Sequence, residues 1–447
     1  MVAPYIFAAK GGSFLRGIIK EMKKTNKIIA KIMLFCITLS YVVMLGTPNY
    51  SAKSIDGSAP IQPAQYQKLL GKGMDVDWSK TNKGREAYRE KAVKDFKAAG
   101  IQHVRIRVKD DVSDMLLKSL DQQIQDCLEY GVIPIIAYQA NGFKNDVSEE
   151  EMDKVVSWWT KIAEHYQDTS YLVAFDMMIE CTDALNKNPE KLNELYEKVV
   201  TAIRKSNPQR ILMMSPRVRS DAQYLKELKV PTEANGYMMA EWHFYASGPS
   251  KENERKLWTK GTEKEKELIR EKIRLALEWQ KQTGIPTWVG AWMAGNYNDE
   301  NYYSVKEQVA FAHFMVTELG KAGIPFAVNA DTHFYNRDNG TWVKDMLPLR
   351  YCIYSSYSQA VKALFTQSSN KVSKITKKST SRVAIEWTKL DWSKQYLVEV
   401  STSKSFKHKT TYSLSGNKKT VTGLKKGNHY YVRVRGCYTI KGKKVYS

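Results

Sequence analysis

Eight short apolar runs recur between residues 72 and 329, each parted from the next by a polar or amphipathic stretch, and this beat restricts the fold more than any other feature of the chain. The runs are KGMDV (72–76), HVRIRV (103–108), VIPIIAY (132–138), LVAFDMMI (172–179), RILMMS (210–215), GYMMAEWHF (236–244), PTWVG (286–290) and PFAVN (325–329). Runs this short suit strands. Between them, REAYREKAVKDFKAAG and PEKLNELYEKVVTAIRKSN place apolar residues at helical spacing, the first closed by glycine and the second followed by Pro208. Eight strand-helix units in about 300 residues predict an α/β fold, a (β/α)8 TIM barrel ringed by helices, with an open doubly wound sheet as the alternative.

From residue 371 the pattern changes to period-two alternation, with Val383, Ile385 and Trp387 in one run and Tyr430, Val432 and Val434 in another. This predicts a small all-β sandwich over 371–447, after a barrel domain over 65–366. The strand holding Trp387, the Thr-Gly-Leu turn at 422–424 and the strand at 430–435 resemble a fibronectin type III module, its last strand expected to be cut short at Ser447. Charge separates the two parts. The chain carries +22 overall, yet residues 371–447 hold 19 Lys/Arg against 3 Asp/Glu, or +16, leaving +6 for the rest. No interleaving of aromatic and basic residues marks a nucleic-acid groove. An anionic cell-envelope polymer is therefore the partner that the tail suggests, a merely solvated lysine surface the alternative, and a monomer is expected.

Ahead of both domains, Met22-Lys23-Lys24 precedes an uncharged run of 14 residues at 32–45 and a small-residue patch at Ser51-Ala52. That run is short for a membrane span and fits a secretory signal. Residues 1–52 are therefore expected to be an N-terminal extension and signal, with Met22 as the natural start, and the protein to be secreted or held at the cell surface; an uncleaved anchor is the alternative. Cys127, Cys181, Cys352 and Cys437 lie far apart, so neither a zinc site nor a disulfide framework is indicated, and no cofactor is implied.

In a barrel of this kind the active site lies at the C-terminal ends of the strands. The fourth run leads through Asp176 to Glu180, where desolvation is expected to raise the carboxyl pKa as a general acid requires; a rim glutamate paired with Arg217 is the alternative. On the sixth, a period of two puts Glu241, His243 and Tyr245 on one face. The eighth ends with Asn329, Asp331 and His333. Trp78, Trp242, Tyr245, Trp292, Tyr297 and Tyr335 crowd the same strand ends, and rings there can stack on sugar faces. A polysaccharide or oligosaccharide is the expected substrate.

GKGMDVDW (71–78), GIQHVRIRV (100–108), LVAFDMMIE (172–180), EWHFY (241–245) and GIPTWVGAW (284–292) together resemble the cellulases of glycoside hydrolase family 5. The resemblance implies that Arg105 matches the second-strand arginine, Glu180 the acid/base, and His243 and Tyr245 the His-x-Tyr motif. Trp78, Tyr138, Gln139, Trp292 and Asn329 complete the expected substrate-binding set. Four places depart from the family pattern, one being the third strand, where Tyr138-Gln139 stand near where a histidine is usual. Ile179 and Cys181 replace the asparagine and proline that flank the acid/base, and Ala291 stands where the resemblance implies the nucleophilic glutamate. A methyl group cannot form a glycosyl ester, so double displacement through Ala291 is closed. Three explanations stand: a hydrolase of a β-linked glucan or mannan with Glu241 or Asp331 as a relocated base, a carbohydrate-binding pseudoenzyme, or an alanine introduced to trap substrate. The first is the reading adopted, with Glu241 ahead of Asp331.

Overall fold

Every residue of the second, third, sixth and seventh strands is buried, as required of strands covered outside by helices and filled inside by side chains. The computed structural model describes residues 56–245, 258, 260–295, 303–367, 370–390, 393, 395–440 and 443–447. The expected signal at 1–52, with Met22 and Cys36, lies outside the described residues, and so does Tyr297. The strands are β1 (Lys72–Val76), β2 (His103–Val108), β3 (Ile133–Tyr138), β4 (Ala174–Asp176), β5 (Leu212–Met214), β6 (Met238–Tyr245), β7 (Thr287–Met293) and β8 (Phe326–Val328). They run parallel in chain order around a closed barrel, sealed where Gly73 of β1 pairs with Ala327 of β8. Closure excludes the open doubly wound sheet.

Five strands, β3, β4, β5, β6 and β8, are shorter than their apolar runs, β4 the most. After β4 the contact with neighbours still persists: Met177 N–H donates to the Met213 carbonyl at 3.0 Å and Ile179 N–H to the Tyr138 carbonyl at 2.8 Å. The helices follow local signals. Helix Pro189–Arg204 starts on a proline whose missing N–H is no loss at that position. Helix Glu263–Thr283 starts in a capping box between Thr262 and Glu265. The predicted stretch 85–100 divides into Asn82–Glu86 and Glu90–Ala99; the second buries Ala92, Val93 and Phe96 and ends at Gly100, whose φ of +95° favours glycine.

A short hairpin, β9 (Tyr335–Asn336) with β10 (Thr341–Trp342), follows β8, and helices Leu347–Tyr354 and Tyr357–Gln367 complete the outer layer. The C-terminal strands are β11 (Val372–Ser379), β12 (Arg382–Trp387), β13 (Gln395–Ser401), β14 (Lys409–Leu414), β15 (Lys418–Val421), β16 (Tyr431–Ile440) and β17 (Lys443–Tyr446). They form two antiparallel sheets, β11-β12-β15 and β14-β13-β16-β17, around Ile385, Trp387, Tyr396, Val398, Val400, Val421 and Val434. Three of the tail's cations, Lys409, Arg433 and Arg435, converge on the buried Glu399.

Candidate active site

Glu180 leaves the end of β4 with φ at +53°, a left-handed conformation that costs about 1–2 kcal/mol for a residue with a Cβ. Three partners hold its carboxylate there. Oε1 lies 2.9 Å from His243 Nδ1 and accepts from the Tyr245 hydroxyl at 3.1 Å, while Oε2 accepts from Arg219 Nη1 at 3.3 Å. Its side chain keeps 20% of its surface open, so the group can still meet a ligand. Burial pushes the carboxyl pKa up, but the His243 hydrogen bond and the charges of His243, Arg219 and Lys144 outweigh it and hold Glu180 at about 2. This corrects the expected raised acid: Glu180 stands as a carboxylate. Its ion-pair partner is Arg219, whereas Arg217 pairs with Glu227 at 2.5 Å.

His243 and Tyr245 reach Glu180 from β6, and Glu241 lies one inward position deeper on the same strand. Burial alone would strip His243 of its proton, yet the Glu241 charge and hydrogen bonds to Glu180 and Glu241 raise its pKa to about 9. The raised value favours the imidazolium, with Nδ1 donating to Glu180 at 2.9 Å, while Nε2 lies 3.3 Å from Glu241 and 3.1 Å from Arg105 Nη1. Glu241 is fully buried, and the imidazole stands between it and Glu180. Buried beneath that ring, Glu241 does not face the cleft as the expected base would.

Beneath this pair lies an ionic layer. Arg105 approaches Asp176 at 2.8 Å, Glu241 at 3.4 Å and Asp75 at 3.7 Å, all four groups being buried in the barrel. Arg105 is thus an interior counterion, not the expected substrate contact. Gly290 makes room for the layer, because a Cβ there would lie 1.9 Å from Glu241 Oε2. The β6–β7 register slips at that glycine, which brings Ala291 opposite His243. Ala291 packs with Tyr245 and Met293.

Asp331 also departs from expectation. It sits in a short helix, Asp331–Phe334, fully buried, accepting the Asp77 N–H at 3.1 Å and pairing with Arg337 Nε at 3.4 Å. Burial raises its pKa, against the Arg337 charge, to about 6. Its partners Asp77 and Arg337 tie it to the loops after β1 and β8, and Glu180 is not among them. Asn329 accepts from Arg107 at 2.8 Å and faces the Tyr245 hydroxyl at 3.5 Å. Tyr138 stacks on Trp158 at 4.0 Å, and Gln139 faces Lys144 Nζ at 3.5 Å.

Four members of the expected aromatic platform are corrected. Trp78, Trp242, Trp292 and Tyr335 are buried and have no open face for a sugar. Trp78 packs on Phe96 at 5.8 Å and Trp292 on Phe311 at 5.9 Å, both within the helix layer. Residues 242 and 292 alternate with inward-facing 243 and 291, so the strand period sends their rings outward. The site also contains residues that sequence reasoning missed: Arg219, and Lys144, which is buried, donates to the Ile179 carbonyl and faces Glu180 electrostatically. A charged residue just past β5 is a readable signal, although Arg217 and Arg219 look equivalent in sequence.

The family model described as Cellulase (glycosyl hydrolase family 5) matches residues 63–329. Endoglucanase H of Acetivibrio thermocellus is 23% identical over 331 residues, covering 70% of this chain and 35% of that protein. A beta-xylosidase of Phanerodontia chrysosporium is 21% identical over 252 residues, 48% of this chain and 51% of that one. The chain thus spans about a third and about half of the length of these two relatives. Among solved structures, endoglucanase Cel5A of Thermotoga maritima superposes with a TM-score of 0.57 at 21% identity, over 66% of this chain and 100% of that one. Its complex with mannotriose gives 0.55 at 21% identity, over 65% and 99%. At these identities the likeness is one of fold.

Proposed function

The chain belongs to the cellulase family, glycosyl hydrolase family 5, and from that premise we propose that its barrel mouth binds a β-linked glucan or mannan without carrying out double displacement. One observation carries this reading. Glu180 is the open carboxylate of the mouth, and among the described residues neither expected partner faces it: Glu241 lies below the His243 ring and Asp331 is bound to Asp77 and Arg337. The proposed equivalence of Ala291 to the family nucleophile fits its place opposite His243. Tyr138, Gln139, His243, Tyr245 and Asn329 are proposed to line the site with Glu180. A second reading, a hydrolase with Glu180 as acid, is favoured by the family match together with the retained Glu180–His243–Tyr245 cluster.

Both readings meet one experiment. The purified protein is expected to bind cello- or manno-oligosaccharides in calorimetry while releasing no reducing ends from β-glucan or mannan, and Glu180→Gln to weaken binding about tenfold, as expected when a charged hydrogen-bond acceptor is lost. Release of reducing ends that Glu180→Gln abolishes would establish the second reading instead. Absence of binding across both sugar classes would remove the first.

The C-terminal sandwich is proposed to be a fibronectin type III-like module over 371–447, supported by its three- and four-stranded sheets. Export through residues 1–52 is proposed from the lysines and the apolar run there. With +16 net charge the module would hold a secreted, monomeric barrel near an anionic envelope polymer. A chain ending at residue 370 is expected to lose salt-sensitive retention on isolated cell walls; equal retention would leave the lysines as a solubility feature.

A further inference from the structure

Three consecutive residues after β5 adopt the left-handed conformation: Val218, Arg219 and Ser220, with φ of +56°, +53° and +59°. None is glycine, and for β-branched Val218 the conformation is a marked outlier. Such a turn persists only where its surroundings over-determine it, and here they do. Val218 N–H donates to Asn186 Oδ1 at 2.8 Å, and Arg219 N–H to the Cys181 carbonyl at 2.8 Å. Arg217 is fixed by Glu227 at 2.5 Å and lies 3.9 Å over the Tyr224 ring. Asp221 pairs with Lys272 at 2.5 Å and bridges to the His243 backbone.

All of this aims one side chain. Arg219 reaches the mouth with 24% of its side chain exposed and spends one donor, Nη1, on Glu180 at 3.3 Å. Among the described residues its remaining guanidinium donors meet no acceptor. At the rim, above the ionic layer, Arg219 and Lys144 both face the single carboxylate of Glu180. A guanidinium fork with free donors is suited to bidentate capture of a second carboxylate. We propose that Arg219 is a specificity-determining residue, which takes the carboxylate of a uronosyl unit in a β-linked acidic polysaccharide bound beside Glu180. The proposal rests on the mouth being a polysaccharide site.

The test compares two ligands that differ only at C6, cellohexaose and its C6-carboxylated counterpart, by calorimetry at pH 7 in low and high salt. Wild-type protein is expected to bind the carboxylated hexamer about tenfold more tightly at low salt, with the preference shrinking at high salt. Arg219→Gln is expected to reduce the ratio to about one, and Arg219→Lys, which keeps the charge and loses the fork, to about threefold. Equal affinities in the wild type, or a preference that survives Arg219→Gln, overturn the assignment of Arg219 alone. Failure of the wild type to bind either hexamer overturns this proposal, and failure to bind mannohexaose as well overturns the polysaccharide reading of the mouth.

Discussion

On the proposed reading of the mouth as a binding site, Ala291→Glu is expected to confer cleavage, raising reducing-end release about 10³-fold or more over the wild-type background. The alanine offers no electron pair, and a retaining mechanism needs a second carboxyl about 5–5.5 Å from the first. Position 291 is suited to supply it, since it lies opposite His243, whose Nδ1 contacts Glu180, and it packs against Tyr245. The introduced carboxylate would enter a buried place, but one opposite His243, whose raised pKa favours a positive charge. It would also change Glu180. A second negative charge nearby raises the pKa of a carboxyl now held at about 2, moving Glu180 toward the proton donor that leaving-group departure requires. Proton NMR of the first product should show retention of the anomeric configuration, and Ala291→Gln, equal in volume but without charge, should remain inert. A folded, ligand-binding Ala291→Glu protein that releases no sugar would show that position 291 does not face the scissile bond.

The barrel was readable because its signal is repeated. Eight apolar runs each mark a strand, and in β1 and β2 the runs and the strands coincide at 72–76 and 103–108. The inward set of β6 was readable for the same reason: period two places Glu241, His243 and Tyr245 together, and their side chains do meet in one network with Glu180. Depth along the strand was not readable. Glu241 and Tyr245 share a face, yet one is sealed beneath His243 and the other touches the open carboxylate, a distinction made by barrel curvature and by the space above Gly290. The tryptophans misled because a ring at a strand end satisfies both a sugar platform and a helix-packing surface, and only the partner rings decide. Arg219 was hidden for another reason. Val-Arg-Ser carries no turn signal, so the left-handed path of residues 218–220 follows from tertiary bonds to Asn186 and Cys181 alone.

Stability is expected to fall by about 1 kcal/mol between pH 6.5 and 8, with His243 as the main source and the buried carboxyls of Asp75, Asp176 and Asp331, which burial also pushes up, adding to it. Its folded pKa of about 9 exceeds the ordinary histidine value of 6.5, so the stabilisation is fully present below pH 6.5 and is lost as pH rises through 9. Physically, the imidazolium is gripped by Glu180 and Glu241, and an unfolded chain gives up the same proton far more readily. The other histidines with resolved shifts, His103, His313 and His333, have lowered values and so contribute no fall in this window. Lys144 acts with the opposite sign. Burial lowers its pKa to about 8, so its contribution is lost as pH falls through 8 and grows between 8 and its ordinary 10.5, which should flatten the decline above pH 8. Urea unfolding at constant ionic strength, followed by tryptophan fluorescence at pH 6.5, 7.2, 8 and 9, reads these terms directly. His243→Gln should reduce the fall between 6.5 and 8, and Lys144→Met should let the wild-type decline continue to pH 9. A flat wild-type profile from 6.5 to 8 would mean that His243 is neutral in the fold, with Arg105 Nη1 donating to its Nε2 across the 3.1 Å that separates them.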